Sequence, residues 1–152
     1  MDEGRFVSWL PSYGPEMRGG TANCSVVVAD EPVGSPVVTE PDVAIIMNKP
    51  SLISFENAVK PGGVLLYNTS LIDQKPARTD ITVIEVPCND IATELGNARV
   101  ANMVMLGAFC KAAGKVGVKA VEEAMRHKLG ERKAHLMPVN TQALEKGMEC
   151  VK

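Results

Sequence analysis

The alternation of apolar and polar positions along the chain predicts five short strands before residue 90 and a mainly helical region after it. The predicted strands are Phe6–Leu10, Ser25–Ala29, Val43–Met47, Val64–Tyr67 and Ile81–Val86. The third and fourth are nearly continuous apolar runs, which suit strands buried on both faces of a parallel sheet covered by helices. Proline and glycine mark a loop over residues 11–20 between the first two strands.

Apolar residues recur at helical spacing between the third and fourth strands and again towards the C-terminus. Leu52, Phe55 and Val59 fall on one face of the first predicted helix, and Ser51 is its predicted N-cap. Later helices are predicted at Ile91–Leu95 with Asn89 and Asp90 as its cap, around Val100–Ala108, at Val118–Leu129, and over a last turn or two in Thr141–Met148. This order of elements predicts an α/β domain.

Composition narrows the class of protein. The chain has 152 residues, of which 45% are hydrophobic and 22% charged, as in one ordinary globular domain. Its formal net charge of −2 argues against nucleic acid as the main partner, because phosphate binding usually needs a basic face. No run approaches the roughly 20 apolar residues of a membrane span, and the acidic start lacks a signal-peptide pattern. We therefore expect a cytoplasmic protein that binds neither nucleic acid nor membrane.

The cysteines and histidines do not suggest a metal or a redox centre. The four cysteines, at positions 24, 88, 110 and 150, are widely spaced, whereas iron–sulfur and structural zinc sites normally cluster their thiolates. We expect four separate, reduced thiols. His127 and His135 lie in a basic segment that suits a solvated helix end and loop. The chain is therefore expected to bind no metal.

The least ordinary segment of the chain follows the first predicted strand. Glu16 and Arg18 lie beside the Gly19–Gly20 pair, whose backbone N–H groups could face a ligand. The planar guanidinium of Arg18 suits a carboxylate or phosphate. The other polar candidates of this segment are Tyr13, Thr21 and Asn23. Two alternatives stay open, namely a local Glu–Arg pair that braces the loop and a site for an anion or a partner.

A second set of polar residues follows the two buried strands. Asn48 and Ser51 come after the third strand, and Asn68 ends the fourth. In open α/β sheets ligands bind at the carboxyl ends of the strands, so these side chains are candidates for ligand contact. Ordinary capping of strands and helices is the alternative. Asn102 interrupts an apolar helix, where we expect it to be buried and to need hydrogen-bond partners.

Three stretches together resemble one family. Tyr13-Gly-Pro-Glu-Met-Arg-Gly-Gly-Thr-Ala-Asn-Cys24 resembles the signature of the gamma subunits of 2-oxoacid:ferredoxin oxidoreductases. Asp42–Leu52 together with Lys60–Asn68 is similar to the next block of that family, and Asn97–Ala108 resembles a third. The blocks follow the expected order over nearly the whole chain. The form of residues 16–20 resembles the 2-oxoglutarate and branched-chain 2-oxoacid members more than the pyruvate members.

The resemblance implies a three-layer α/β/α sandwich with a largely parallel sheet, acting as one subunit of an enzyme of anaerobic metabolism and inactive alone. That enzyme oxidatively decarboxylates a 2-oxoacid with coenzyme A to an acyl-CoA, CO₂ and reduced ferredoxin. The implied partners are alpha, beta and ferredoxin-like delta subunits and ferredoxin itself, with a homodimer of the isolated subunit as an option. Thiamine diphosphate, magnesium and iron–sulfur clusters would lie on the partners, so this chain is expected to bind no cofactor and to supply no catalytic residue.

The sequence departs from the family pattern at its start. The family normally opens with a strand and a Gly-Gly-Gln-Gly turn that leads into a helix, and neither is found here. We therefore expect residues 1–152 to form a single gamma-subunit-like domain that lacks its first strand-turn-helix unit. Its role is expected on the coenzyme A side of the enzyme, with a pure assembly module as the alternative. A free-standing nucleotide-binding protein is a third interpretation, which the lack of a phosphate loop disfavours.

Overall fold

The chain divides into two compact units, Met1–Pro41 and Asp42–Lys152, in a computed structural model that describes residues 3–13 and 22–152. The first unit contains a β-hairpin, and the second contains a parallel sheet and all the described helices. The expectation of a single domain that lacks a first strand-turn-helix unit stays a prediction.

The hairpin pairs β1 (Phe6–Tyr13) with β2 (Ala22–Ala29) in antiparallel register, from Phe6 beside Ala29 to Tyr13 beside Ala22. Both predicted strands are confirmed, and each is three residues longer than the apolar pattern indicated. β1 continues through Pro11, because this strand has a partner on one side only and the missing N–H can face away from the ladder. The antiparallel pairing itself was not predicted from the apolar pattern.

The second unit is built on a parallel three-stranded sheet in the order β3–β4–β5, as the apolar runs predicted. The strands are β3 (Val43–Ile46), β4 (Val64–Asn68) and β5 (Thr82–Val86). β4 is the central strand, and its last four residues are buried. Because successive side chains of a strand point to opposite faces, Leu66 packs into one apolar cluster while Leu65 and Tyr67 pack into the other.

Helices cover both faces of this sheet, which confirms the predicted three-layer α/β/α arrangement. On the face of Leu65, the cluster includes Leu52 of α1 (Lys49–Phe55) and Val59, which follows a 3₁₀ turn at Glu56–Ala58. On the face of Leu66, the cluster draws on three helices. These are α2 (Cys88–Glu94), α3 (Ala101–Ala113, preceded by a 3₁₀ turn at Ala98–Val100) and α5 (Met137–Glu149). The remaining helix, α4 (Val118–Leu129), contains no buried residue and leads into a 3₁₀ helix at Glu131–Leu136.

Several local predictions are wrong, each for a physical reason. Ser51 is not the N-cap of α1, because the Asn48 side chain accepts the Ser51 backbone N–H at 3.0 Å and Pro50 occupies the first turn. Asn89 and Asp90 lie inside α2, which begins one residue earlier at Cys88. Asn102 is exposed, because it lies on the face of α3 opposite the buried residues. α5 is thirteen residues long rather than one or two turns.

Within the described ranges, no helix combines the length and the apolar character that crossing a bilayer requires.

Candidate functional site at the carboxyl edge of the parallel sheet

Asn68 lies at the carboxyl end of β4, is fully buried, and connects the ends of all three parallel strands. Its Nδ2 donates to the Met47 carbonyl after β3 at 3.4 Å and to Asn89 Oδ1 beyond β5 at 2.8 Å. Its Oδ1 accepts the backbone N–H groups of Ser70 at 3.3 Å and Cys88 at 3.1 Å. One side chain therefore fixes the geometry of this edge.

The hydrogen-bonding capacity of Asn68 is used completely inside the protein. An amide side chain offers two N–H donors and two lone pairs, and these four contacts occupy all of them. A ligand would have to break one of these bonds in order to contact Asn68. The geometry therefore favours the capping alternative for this residue, in which Asn68 positions its neighbours.

Asn48 and Lys49 form the adjacent corner of the same edge. Asn48 is exposed and caps α1, as described above, and its backbone carbonyl accepts the Leu52 N–H. Lys49 Nζ donates to Asp73 Oδ1 at 2.9 Å, and this contact lowers the pKa of the Asp73 carboxyl. Ser51 is half-buried and contributes its backbone N–H to the cap.

Ser70 and Asp90 extend the edge on the other side of Asn68. Ser70 Oγ accepts the Asp90 backbone N–H at 3.1 Å, which links the loop after β4 to the first turn of α2. The side chains of Asn89 and Asp90 therefore belong to this edge, although the sequence analysis treated them only as helix caps. Their position directly after the fifth predicted strand was the signal that could have found them, because carboxyl ends of neighbouring parallel strands meet.

Two buried side chains beside this edge, Tyr67 and Cys88, are protonated at neutral pH. Tyr67 OH donates to Glu85 Oε1 at 3.0 Å, and burial together with the Glu85 carboxylate raises the pKa of Tyr67 to about 12. Burial, with a smaller effect of Cys150, raises the pKa of the Cys88 thiol to about 12. Neither group can act as a base or nucleophile near pH 7, because almost none of it is ionised there.

The structure brings three of the predicted site residues together and leaves the others apart. Asn48, Ser51 and Asn68 share the carboxyl edge of the sheet. Asn23 is exposed on β2, beside Ser12, and the Tyr13 backbone pairs with Ala22 at the end of the hairpin. The remaining predicted residues, Glu16, Arg18, Gly19, Gly20 and Thr21, lie outside the described residues. Ligand or partner contact stays a prediction for all ten residues.

The cysteines do not fit an iron–sulfur cluster. The four cysteines form no disulfide with one another, and each lies on a different element or chain end. In the described parts of the chain, no three His, Cys, Asp or Glu side chains are grouped closely enough to hold a metal ion.

Helices on both faces of a parallel sheet place the second compact unit in the class of three-layer α/β/α domains. Residues 1–150 match the family described as pyruvate ferredoxin/flavodoxin oxidoreductase, and the chain belongs to that family. It is 41% identical over 149 residues to ketoisovalerate oxidoreductase subunit VorA of Methanothermobacter marburgensis. It is 34% identical over 131 residues to 2-oxoglutarate synthase subunit KorC of the same organism. The resemblance found in the sequence is thus confirmed.

The extent of these matches differs between relatives. The match to VorA covers 97% of this chain but only 30% of the length of VorA. The match to KorC covers 82% of this chain and 70% of the length of KorC. Among solved structures, the keto/oxoacid ferredoxin oxidoreductase gamma subunit of Geobacter sulfurreducens matches with a TM-score of 0.80 at 26% identity. That match covers 98% of this chain and 82% of the Geobacter chain.

One further structure supports the fold alone. The 2-oxoglutarate:ferredoxin oxidoreductase of Magnetococcus marinus matches with a TM-score of 0.86 at 23% identity, over 97% of this chain and 26% of that chain. The same arrangement of layers therefore occurs both as a short chain and as part of a longer one.

Proposed function

We propose that the chain acts as the gamma-type subunit of a multi-subunit 2-oxoacid:ferredoxin oxidoreductase. The enzyme would convert a 2-oxoacid and coenzyme A to an acyl-CoA, CO₂ and reduced ferredoxin. The family match over residues 1–150 carries this proposal. Relatives named for ketoisovalerate and for 2-oxoglutarate support a 2-oxoacid as the substrate class. The four cysteines form no disulfide with one another, which supports a reducing compartment such as the cytoplasm.

In this proposal the bond-breaking chemistry belongs to the partner subunits. Alpha, beta and ferredoxin-like delta subunits would hold thiamine diphosphate, magnesium and iron–sulfur clusters, and the thiamine cofactor would supply carbanion stabilisation. The protonated state of Tyr67 and Cys88 supports a non-nucleophilic role for these two residues. The network around Asn68 supports a rigid edge that positions neighbouring loops.

Reconstitution tests the function directly. The chain would be co-expressed under anaerobic conditions with a thiamine-binding subunit and a ferredoxin-like subunit from the same organism. We expect 2-oxoacid- and coenzyme A-dependent reduction of ferredoxin by the full complex and none when this chain is omitted. Full activity without the chain would contradict the proposal.

A substitution of Arg18 distinguishes the two roles that the chain could have in the complex, namely contact with coenzyme A and assembly with a partner subunit. If residues 13–20 contribute to the coenzyme A side, Arg18→Ala raises the KM for coenzyme A or lowers kcat in a complex of normal composition. If the segment is an assembly contact, Arg18→Ala weakens co-purification and leaves the kinetics of the assembled fraction unchanged. Arg99→Ala is the matched control, because Arg99 is an exposed arginine in the second compact unit. Normal kinetics and normal assembly would remove Arg18 from both roles.

A further inference from the structure

A basic surface lies at the junction of α4 and the 3₁₀ helix that follows it. Residues 126–135 contain four Lys or Arg and one Glu, a net charge of +3, in a chain of net charge −2, so the rest of the chain carries −5. The members of this basic surface are Arg126, His127, Lys128, Arg132, Lys133 and His135. This short segment therefore carries charge of the opposite sign to the net charge of the chain.

The cations of the basic surface have no ion-pair partner in the part of the chain that the structure describes. All six side chains are exposed. The ion pairs found among the described residues involve other lysines and arginines, such as Lys49 with Asp73 and Lys146 with Glu149. The positive charge is thus available to a second molecule rather than neutralised within the fold.

The dipole of α4 explains the positive residues at the end of that helix but not those that follow it. Arg126, His127 and Lys128 lie in the last turn of α4, where positive charge complements the helix dipole. The other cations, Arg132 and Lys133, precede the first turn of α5. That turn has neither an acidic residue nor a side-chain N-cap, so these cations face the positive end of a helix dipole. Their placement opposes folding slightly and would be favoured by a bound anionic group.

Apolar surface accompanies the charge. An open depression of about 370 Å³ lies within the basic surface and is lined by Arg126, His127, Gly130, Glu131, Ala134 and Met137. α4 itself buries no residue, although its apolar side chains, including Met125 and Leu129, are half-buried along one face. Exposed arginine and half-buried methionine beside a shallow depression are typical of protein–protein interfaces.

We propose that the basic surface docks an acidic segment of a partner subunit. The inference rests on the proposed function, because it needs a partner polypeptide. Its extent favours a polypeptide over a small anion. The six residues of the 3₁₀ helix alone span about 12 Å at a rise of about 2 Å per residue, which exceeds the size of a single phosphate group. The depression is also open, whereas small-ligand sites usually enclose most of their ligand.

A charge-reversal pair tests the proposal in the assembled enzyme. Arg132→Glu combined with Lys133→Glu is compared with Lys119→Glu combined with Lys152→Glu, which changes the net charge equally at exposed lysines outside the basic surface. Native mass spectrometry across a salt titration measures how much complex survives. We expect the first pair to weaken association about tenfold and to flatten its salt dependence, while the control pair behaves like the wild type. Arg132→Gln with Lys133→Gln should give an intermediate loss.

The possible results separate this inference from the proposed function. If the wild type neither assembles nor supports oxidoreductase activity, the proposed function fails. If the wild type assembles and the reversal pair equals the control pair, only the docking surface fails. Normal assembly of the reversal pair with a raised KM for coenzyme A would indicate a small-anion site and would also overturn the docking proposal. Circular dichroism of each variant verifies that the helices remain folded, and the Gln pair serves if the reversal pair does not fold.

Discussion

Gly107 of α3 lies directly against the backbone carbonyl of Leu144 in α5. A β-carbon at position 107 would lie less than 3.0 Å from that oxygen, closer than real β-carbons approach other atoms. The contact is reciprocal, because a β-carbon at Gly147 would meet the Val104 carbonyl of α3 equally closely. The two helices therefore cross backbone against backbone, and the crossing anchors the layer that covers the Leu66 face of the sheet.

We predict that Gly107→Ala and Gly147→Ala each lower the free energy of unfolding by about 2 kcal/mol or more, since the added methyl group must push rigid backbone apart. The loss should appear even though alanine favours an isolated helix by about 1 kcal/mol over glycine. Urea denaturation followed by circular dichroism measures it. Gly34→Ala is the control, because a β-carbon there meets nothing within 4 Å and the backbone is not left-handed. Equal stability of all three variants would show that the crossing is loose.

Asn68 should be the most sensitive polar position of the sheet edge. We predict that Asn68→Ala costs about 2–4 kcal/mol in the free energy of unfolding, because it leaves the buried Cys88 N–H and its other partners unsatisfied. Asn48→Ala is the matched control and should cost about 1 kcal/mol, since it removes one exposed helix cap. The same urea titration compares them. A smaller cost at position 68 than at position 48 would contradict the bracing role.

The sequence predicted the strands of the parallel sheet well because their signal is local. Val43–Ile46 and Val64–Tyr67 are apolar runs of strand length with no polar position inside them. Burial on both faces explains this for β4, whereas Ile45 of the edge strand β3 is exposed, against the expectation of burial on both faces. The end of α1 and the length of α5 were predicted poorly. α5 carries polar residues on half its surface, and its helix is held by the contact of Gly147 with α3, which is distant in sequence.

The candidate site could be predicted only as a location. Asn48 and Asn68 come at the carboxyl ends of two apolar strands. Because these strands pair in parallel, both residues lie at the same edge of the sheet. The partners of Asn68 could not be predicted, because they depend on how Met47 and Asn89 approach it from two other segments. The predicted burial of Asn102 is wrong. Its apolar neighbours suggested burial, yet the phase of α3 places it on the exposed face.

Tyr67 should make the stability of the protein fall at alkaline pH. Its pKa is about 12 in the folded chain against an ordinary value of 10.0, so the fold favours the protonated phenol. The resulting stabilisation is fully present below pH 10 and is lost as the pH rises from 10 towards 12. We predict that the difference in unfolding free energy between the wild type and Tyr67→Phe shrinks over this interval. Urea titrations at pH 9, 10 and 11 test it, and parallel curves for the two proteins would contradict it.

Cys88 should resist alkylation in the folded protein. Burial raises its pKa to about 12 from the ordinary value of 9.0, so its thiolate at pH 8 is about a thousandfold scarcer than that of an ordinary thiol. We predict that iodoacetamide at pH 8 modifies the exposed Cys24 while Cys88 stays unmodified, and peptide mass spectrometry distinguishes the two. In urea the two cysteines should react at similar rates, because unfolding removes the burial of Cys88. If Cys88 reacted as fast as Cys24 without denaturant, the α2 end of the sheet edge would have to open in the native state.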